Sequence, residues 1–265
     1  MNLHLKKIEM RMNQHQLTKR TRYIPYMNRH VFSIPYIKFL SHAVTPLNQQ
    51  WKCQTANNIM KPLMKNGETP DLNYVRPFEI EDFDDSKDYH LNIEQIQQPF
   101  TIYINQSYIG TVVGNEGHIE FDITHVVNGD TNRIELVPTE ITTEVMMSQQ
   151  QNPFQDMYVL ERANDRIVDY SVDVSHNARG DISVRIQIQD IEGAPLISYV
   201  LQNEQQATFA KGIMDIDSSY HLVIPAHLVG QQGKHFTLFL ETEDETLAHD
   251  IDSSGFHEPV NVKTM

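Results

Sequence analysis

Apolar and polar residues alternate along most of the chain from Tyr89 onward, and this alternation limits the fold more than any other feature of the sequence. The first two apolar sets are Tyr89, Leu91 and Ile93, then Phe100, Ile102 and Ile104. A period of two is typical of β-strands that bury one face and leave the other in solvent. His90, Asn92 and Glu94 alternate with the residues of the first set. We therefore expect these three polar residues to lie on a solvated face.

The same alternation continues in short runs through the rest of the chain, with turn residues between them. The runs cover 119–123, 134–136, 182–188, 220–224 and 236–240. Asn105-Gln106-Ser107 and Asn128-Gly129-Asp130 are turn signals, and the first of them predicts a hairpin. Because helical periodicity is scarce, the sequence predicts an all-β protein, and the later runs suit an immunoglobulin-like sandwich.

Length and composition predict two folded domains rather than a disordered chain. The chain has 265 residues, of which 40% are hydrophobic and 21% charged. A net charge of −14 would repel phosphate backbones and anionic lipids, so we expect neither a nucleic acid nor a membrane partner. Cys53 has no second cysteine to pair with, and no secretion signal is evident, so we expect a cytoplasmic protein.

Basic residues crowd the beginning of this acidic chain. They are Lys6, Lys7, Arg11, Lys19, Arg20, Arg22 and Arg29. We interpret this part as a solvated, partly disordered arm. Docking onto an acidic surface of a partner is an alternative interpretation, and nucleic-acid binding is a weaker one.

A series of short motifs lies within residues 100–137. In chain order they are Ile104-Asn105, Ile109-Gly110, Phe121-Asp122-Ile123-Thr124 and Asn128-Gly129-Asp130-Thr131-Asn132. The series resembles the sugar-binding domain of glycoside hydrolase family 2, which is best known from β-galactosidases. The resemblance implies a jelly-roll, galactose-binding-like sandwich for this part of the chain.

Further matches follow the order of the family along the chain. They are RTRYIPY at 20–26, PLNQQWK at 46–52, FQDMYVLERANDRIVDY at 154–170 and SGFH at 254–257. The third resembles the link into the family's second sandwich, and the fourth resembles the segment that closes that domain. The expected division is an N-terminal arm at 1–40, a jelly-roll sugar-binding-like domain at 41–160, an immunoglobulin-like β-sandwich at 161–258 and a tail at 259–265.

Two departures from the family argue against catalysis. Family members hydrolyse β-galactosides or related glycosides with two glutamates on a barrel that follows the second sandwich, and we expect this chain to end before the barrel. Near the galactose site the family has Glu-Asp-Gln-Asp-Met-Trp-Arg, whereas residues 142–153 here are TTEVMMSQQQNP. We therefore expect no enzymatic activity from the chain on its own and assign no catalytic residue.

Other candidate chemistry has a structural interpretation. Trp51, Asn105, Gly110, Phe121 and Asp122 suit core or turn positions better than ligand contacts. The histidines show no zinc-like spacing. Alternate aspartates at 215–219 and 250–254, and the acidic run at 79–88, could bind calcium, but polar turns are the favoured interpretation. We expect neither a metal nor another cofactor.

The leading hypothesis is a non-catalytic, β-galactosidase-like module that acts as a scaffold or partner-binding protein in carbohydrate metabolism. Its expected partners are a second copy of the chain or a barrel-containing glycosidase subunit. One alternative is a carbohydrate-binding module with a weak β-galactoside site on the first sandwich. Another is a truncated fragment or subunit of a β-galactosidase whose barrel is encoded separately. The residues of a sugar site stay unassigned.

Overall fold

The computed structural model describes residues 15–17, 24–26, 39, 41–55, 72–114, 116–139, 154–216, 219–228 and 235–252. These residues are predominantly strand, with one helical turn at 226–228, so the predicted all-β class is confirmed. No helix within these ranges has the length and apolar character needed to span a membrane. The strands are β1 (Val44–Pro46), β2 (Lys52–Thr55), β3 (Leu72–Phe78), β4 (Asp88–Ile96), β5 (Phe100–Ile104), β6 (Ser107–Val112), β7 (Glu116–Asp122), β8 (Asn132–Pro138), β9 (Asp156–Arg162), β10 (Arg166–His176), β11 (Ile182–Glu192), β12 (Ile197–Asn203), β13 (Thr208–Met214), β14 (Ser219–Ile224), β15 (His235–Glu241) and β16 (Thr246–Asp252).

The chain forms two compact units. The first comprises Met1–Lys19 and Thr45–Glu161, and the second comprises Arg20–Val44 and Arg162–Met265. The chain leaves the first unit for the last time near the end of β9.

Two sheets build the first unit. A five-stranded sheet has the order β2-β3-β8-β5-β6, and a four-stranded sheet has the order β1-β9-β4-β7. Alternate residues of both sheets point into one shared apolar core. Its fully buried members include Leu91, Ile93, Ile102, Ile104, Phe121, Ile134 and Leu136. The predicted apolar sets of β4 and β5 therefore do form the core, as expected of a two-layer sandwich.

The second unit is also a sandwich, with a three-stranded sheet β10-β11-β14 and a four-stranded sheet β13-β12-β15-β16. This is the predicted immunoglobulin-like architecture. In constant-type immunoglobulin domains the fourth strand lies in the sheet of the first two strands, whereas β13 here pairs with β12. The short turn at 204–207 explains the difference. Asn203 accepts hydrogen bonds there from the amides of Gln205 and Ala207, and the turn brings β13 back beside β12.

Two stretches of the predicted solvated arm pair with sheet edges. Residues 15–17 make two backbone hydrogen bonds of 2.8 and 2.9 Å with β7, in the first unit. In the second unit, Tyr26 and Thr246 of β16 exchange two backbone hydrogen bonds of 2.9 Å each. Ile24 and Tyr26 are buried. For these stretches the prediction of a solvated extension is wrong, because the arm supplies apolar side chains and backbone partners to strand edges.

Candidate functional site

A shallow groove on the outer face of the five-stranded sheet is lined by Tyr103, Gln106, Arg133 and Glu135. Its volume is about 260 Å³, slightly below the roughly 300–1,000 Å³ of pockets that hold drug-sized ligands. The lining residues come from β5, from the β5–β6 turn and from β8. All of them belong to the first unit.

Strand register places an aromatic pair beside a carboxylate in this groove. Tyr103 of β5 lies opposite Tyr108 of β6 and opposite Glu135 of β8. The two tyrosine rings meet edge to face, with their centroids 5.9 Å apart and their planes at 72°. Because Ile102 and Ile104 point into the core, the side chain of Tyr103 faces outward.

The two-residue turn between β5 and β6 holds Gln106 at the groove. Asn105 and Gln106 have φ values of 49° and 71°, in the left-handed region that a type I′ hairpin turn uses. The Asn105 side chain donates to the Val126 carbonyl over 2.8 Å and accepts from the Arg133 amide over 2.9 Å. The predicted hairpin is therefore confirmed, and its turn is attached to β8, which carries the other half of the groove.

The charged side chains of the groove are only loosely paired. The Arg133 guanidinium lies 3.5 Å from one Glu135 oxygen, and Asn73 donates to the other oxygen over 2.7 Å. The Arg133 side chain is 53% exposed and that of Glu135 is 28% exposed. Within the described part of the chain, the Gln106 amide and the Tyr103 hydroxyl have no hydrogen-bond partner. The groove therefore offers a guanidinium, a carboxylate, an amide and a hydroxyl to a polar ligand.

This arrangement suits binding better than bond cleavage. Glu135 is the single carboxylate among the four lining residues, and Arg133 and Asn73 already engage it. Most glycosidases need a pair of carboxyl groups, about 5–5.5 Å apart in retaining enzymes and roughly 6.5–9.5 Å apart in inverting ones. The groove contains no second carboxylate among its lining residues to complete such a pair.

A second polar cluster lies on the other sheet of the first unit and is buried. His90, Asn92 and Glu94 of β4 are at most 4% exposed, so the prediction of a solvated face is wrong. Partners from neighbouring strands satisfy these groups. Glu120 Oε1 lies 3.2 Å from His90 Nδ1, and the Tyr158 hydroxyl donates to Glu94 over 3.0 Å. These contacts satisfy the buried polar groups within the sheet, as is usual for polar side chains inside a protein.

Trp51, which the sequence places in the core in preference to a sugar platform, packs against the core of the first unit. Its ring meets Phe154 edge to face at a centroid distance of 5.8 Å, and its Nε1 donates to the Leu47 carbonyl over 2.7 Å. The indole nitrogen is thus already bonded to the protein backbone.

The acidic run at 79–88 contains a polar turn. The Asp84 carboxylate accepts hydrogen bonds from the hydroxyl and the amide of Ser86 over 2.7 and 2.9 Å, and these bonds lower the pKa of Asp84. Among the residues that the structure describes, no three histidine, cysteine, aspartate or glutamate side chains are grouped as metal ligands. The segments 142–153 and 253–257, and residues 217 and 218, lie outside the described residues.

The two sandwiches define a β-sandwich module like those of glycoside hydrolase family 2, in agreement with the resemblance carried by the motifs at 100–137. No protein-family model matches the chain. The β-galactosidase of Staphylococcus xylosus is 25% identical to it over 193 residues, which cover 69% of this chain and 19% of that protein. This chain therefore spans about a fifth of the length of that curated relative.

Solved structures show the same fold. A β-glucuronidase from an uncultured Clostridium sp. matches 78% of this chain with a TM-score of 0.58 and 16% identity, over 44% of its own chain. The β-glucuronidase of Bifidobacterium dentium matches 79% with a TM-score of 0.58 and 14% identity, over 47% of its own chain. A glycosyl hydrolase family 2 member from Bacteroides cellulosilyticus matches 79% with a TM-score of 0.57 and 12% identity, over 36% of its own chain. At these identities the likeness concerns the fold alone.

Proposed function

We propose that this chain is a non-catalytic module of glycoside hydrolase family 2 type, which acts in carbohydrate metabolism by binding and not by hydrolysis. The observation that carries the proposal is the single, already engaged carboxylate of the groove, Glu135. The similarity to a β-galactosidase, which extends over 19% of that protein, also supports it.

A hydrolysis assay tests this proposal directly. The purified chain is incubated with chromogenic β-galactosides and β-glucuronides, the substrate types of the enzymes to which it is similar. We expect no turnover above that of buffer, because cleavage needs two carboxyl groups. The Glu135→Gln variant is the control for contamination. Turnover by the wild-type chain that this variant loses would overturn the proposal.

Partner binding is a second candidate role, and exposed apolar side chains of the second unit favour it. Leu196 and Ile213 are 70% and 65% exposed. Strand register puts Ile213 on the same outward face as Val200, which is buried in a small cluster with Phe239 and Ala248. An apolar face that is only partly covered is typical of an interaction surface. The proposed partner is a second copy of the chain or a barrel-containing glycosidase subunit.

Size-exclusion chromatography with light scattering tests this role. We expect the wild-type chain to self-associate or to co-elute with a barrel-containing glycosidase, and the double variant Leu196→Lys, Ile213→Lys to do neither. Gln187→Lys, an exposed change on β11 in the other sheet of this unit, is the matched control and leaves association intact. A wild-type chain that stays a monodisperse monomer, alone and in the mixture, would contradict partner binding.

A further inference from the structure

We propose that β13 is a docking strand for a second copy of this chain, and that it pairs antiparallel with the β13 of that copy around a two-fold axis at Ile213. The pairing joins the four-stranded sheets of two second units into one sheet of eight strands. The inference rests on the partner-binding role proposed above and deepens it, because it names the partner, the strand and the register.

β13 is an open edge of its sheet. It is the first strand in the order β13-β12-β15-β16, and β12 is the only described strand that pairs with it. At the opposite edge of the same sheet, Tyr26 bonds to the backbone of β16. An edge strand with a free side is a template to which another strand can add through backbone hydrogen bonds.

One face of this edge carries an apolar side chain between two opposite charges. Lys211, Ile213 and Asp215 alternate along the chain and are all exposed, Ile213 at 65%. They lie on the outer face of the sheet, because the intervening Met214 is buried in the core of the second unit. Within the described part of the chain, neither the Lys211 ammonium nor the Asp215 carboxylate has a hydrogen-bond or ion-pair partner.

A two-fold axis at Ile213 makes this face complementary to itself. Two identical antiparallel strands match residues that lie at equal distances from their two-fold axis. The two isoleucines are then opposite each other, and Lys211 is opposite Asp215 of the second copy. The symmetry forms this charge pair twice. Apolar pairs and opposite charges directly across a ladder both stabilise strand pairing.

Other registers are less favourable. An axis at Lys211 places two ammonium groups opposite each other, which is destabilising. An axis at Gly212 places Lys211 opposite Ile213 of the second copy, so neither charge gains a partner directly across the ladder. An axis between two residues aligns the outer face of one sheet with the inner face of the other, since successive side chains alternate. The sequence of β13 therefore favours the axis at Ile213.

The same pattern favours a second copy over an unrelated strand. A strand of another protein needs an acid, an apolar residue and a base at this alternating spacing, whereas this chain already carries all three. Leu196 is 70% exposed and lies immediately before β12, diagonally across from Ile213. Pairing at Ile213 thus extends two exposed apolar side chains into a band of four across the joined sheet.

Sedimentation velocity of the full chain, from about 1 to 500 µM, tests the proposal. A single strand pair is small beside the roughly 1,200–2,000 Å² that stable complexes bury, so we expect a reversible dimer with a dissociation constant on the order of 10–100 µM. Lys211→Glu and Asp215→Lys should each weaken it about tenfold or more, because each places like charges opposite each other twice. Arg185→Glu, the same change of charge at an exposed position of β11 in the other sheet, is the matched control and should have no effect.

Mixing the two single variants tests the register. In a mixed dimer every charge is again opposite an unlike charge, so Lys211→Glu and Asp215→Lys together should dimerise about as tightly as the wild-type chain. The double variant that carries both changes should also recover dimerisation. A folding defect in the single variants cannot produce either recovery.

Cross-linking locates the axis. Under mild oxidation Ile213→Cys should form a covalent dimer, whereas Lys211→Cys should not, because the two positions 211 are then at least about 13 Å apart. The wild-type chain, whose single cysteine is Cys53, gives the baseline. Faster cross-linking of Lys211→Cys than of Ile213→Cys would overturn the register.

Two results would overturn the strand pairing and leave self-association itself standing. One is a dimer that Lys211→Glu does not weaken, and the other is a mixture of the single variants that stays monomeric. A wild-type chain that is monomeric at every concentration would also overturn the pairing. Co-elution of that monomer with a barrel-containing glycosidase would still support the partner-binding role, so the two failures are distinguishable.

Discussion

The side-chain amide of Asn105 donates to the side-chain oxygen of Asn132 over 2.8 Å, and this bond joins a hairpin turn to the beginning of β8. Asn132 is fully buried, and both the oxygen and the nitrogen of its side chain form hydrogen bonds. Its oxygen also accepts from the Asn128 amide over 3.0 Å, and its nitrogen donates to the carbonyls of Asn128 and Asp130 over 2.9 and 3.0 Å. One side chain therefore organises both loops that flank the groove.

Replacing this side chain should destabilise the first unit. Asn132→Ala removes four hydrogen bonds and leaves the Asn105 side-chain amide with the Val126 carbonyl as its remaining acceptor, so we expect the free energy of unfolding to fall by about 2–4 kcal/mol. Urea unfolding followed by the fluorescence of Trp51, the single tryptophan, measures this change in the first unit. Asn73→Ala is the control, since it loses one half-buried bond and should cost about 1 kcal/mol. Equal losses for the two variants would contradict the role given to Asn132.

Gly110 should not tolerate a methyl group. A Cβ atom at this position would lie 2.4 Å from Cε1 of Phe121, whose ring is fully buried in the core of the first unit. Relief of that contact requires movement of a packed ring, so Gly110→Ala should cost about 1–3 kcal/mol. Gly117→Ala is the matched control, because a Cβ atom there would meet nothing within 4 Å. It should change stability by at most about 0.5 kcal/mol in the same urea experiment.

The buried pair of Arg162 and Glu245 should be essential to the second unit. Two hydrogen bonds of 2.8 and 3.0 Å join their side chains, which are 1% and 4% exposed, and Glu245 also accepts from the Ala163 amide over 3.0 Å. Glu245→Ala leaves a guanidinium buried without its counter-ion, which costs about 3–5 kcal/mol. Hydrogen exchange of β16 should accelerate by about a hundredfold or more.

A double substitution tests whether the unpaired charge causes the loss of stability. Arg162→Met with Glu245→Leu removes both charges together and should restore much of the lost protection, because neither charge is then left unpaired. If β16 exchanges as fast in the double variant as in Glu245→Ala, the broken ion pair does not cause the loss of protection.

Asp122 should make the stability of the first unit depend on pH in the acidic range. Burial raises the pKa of Asp122, but hydrogen bonds from the amide and hydroxyl of Thr124, together with His90 and His125, more than offset it and lower the pKa below 3.8. The folded state therefore holds the ionised form better than the unfolded chain does. This stabilisation is complete above the unfolded pKa and disappears as the pH falls through the folded value.

The variant Asp122→Asn tests this dependence. It should be less stable than the wild-type chain at pH 7, and the difference should close as the pH is lowered below about 3.8. Urea midpoints from pH 7 down to pH 2.5, again from Trp51 fluorescence, measure it. A difference that stays constant over this range would show that Asp122 acts through shape and not through charge.

Sequence periodicity predicts the strands well but predicts solvent exposure only in part. On β5 the apolar residues Ile102 and Ile104 are buried and Tyr103 faces outward, as alternation requires. On β4 both faces are buried. Alternation separates the two faces of a strand, but it does not say whether another part of the chain covers the polar one.

The sequence predicts which way single residues of the groove face, but it does not predict that they come together. Tyr103 and Glu135 are far apart in the chain, and the pairing of β5 with β8 alone brings them opposite each other. The signal in the sequence was the alternation of Arg133 and Glu135 with Ile134 and Leu136, which marks the first two as outward. Without the strand register, no rule connects that outward face to the tyrosine.

The pairing of residues 24–26 with β16 affects how this protein can be trimmed in the laboratory. β16 is the last strand in the order of its sheet. The backbone of Tyr26 bonds to the N–H and C=O of Thr246, which would otherwise point outward at that edge. A recombinant fragment that starts beyond position 26 would expose a ready template for strand addition by neighbouring molecules. Shortening the protein to aid crystallisation would in this way favour edge-to-edge association of neighbouring molecules.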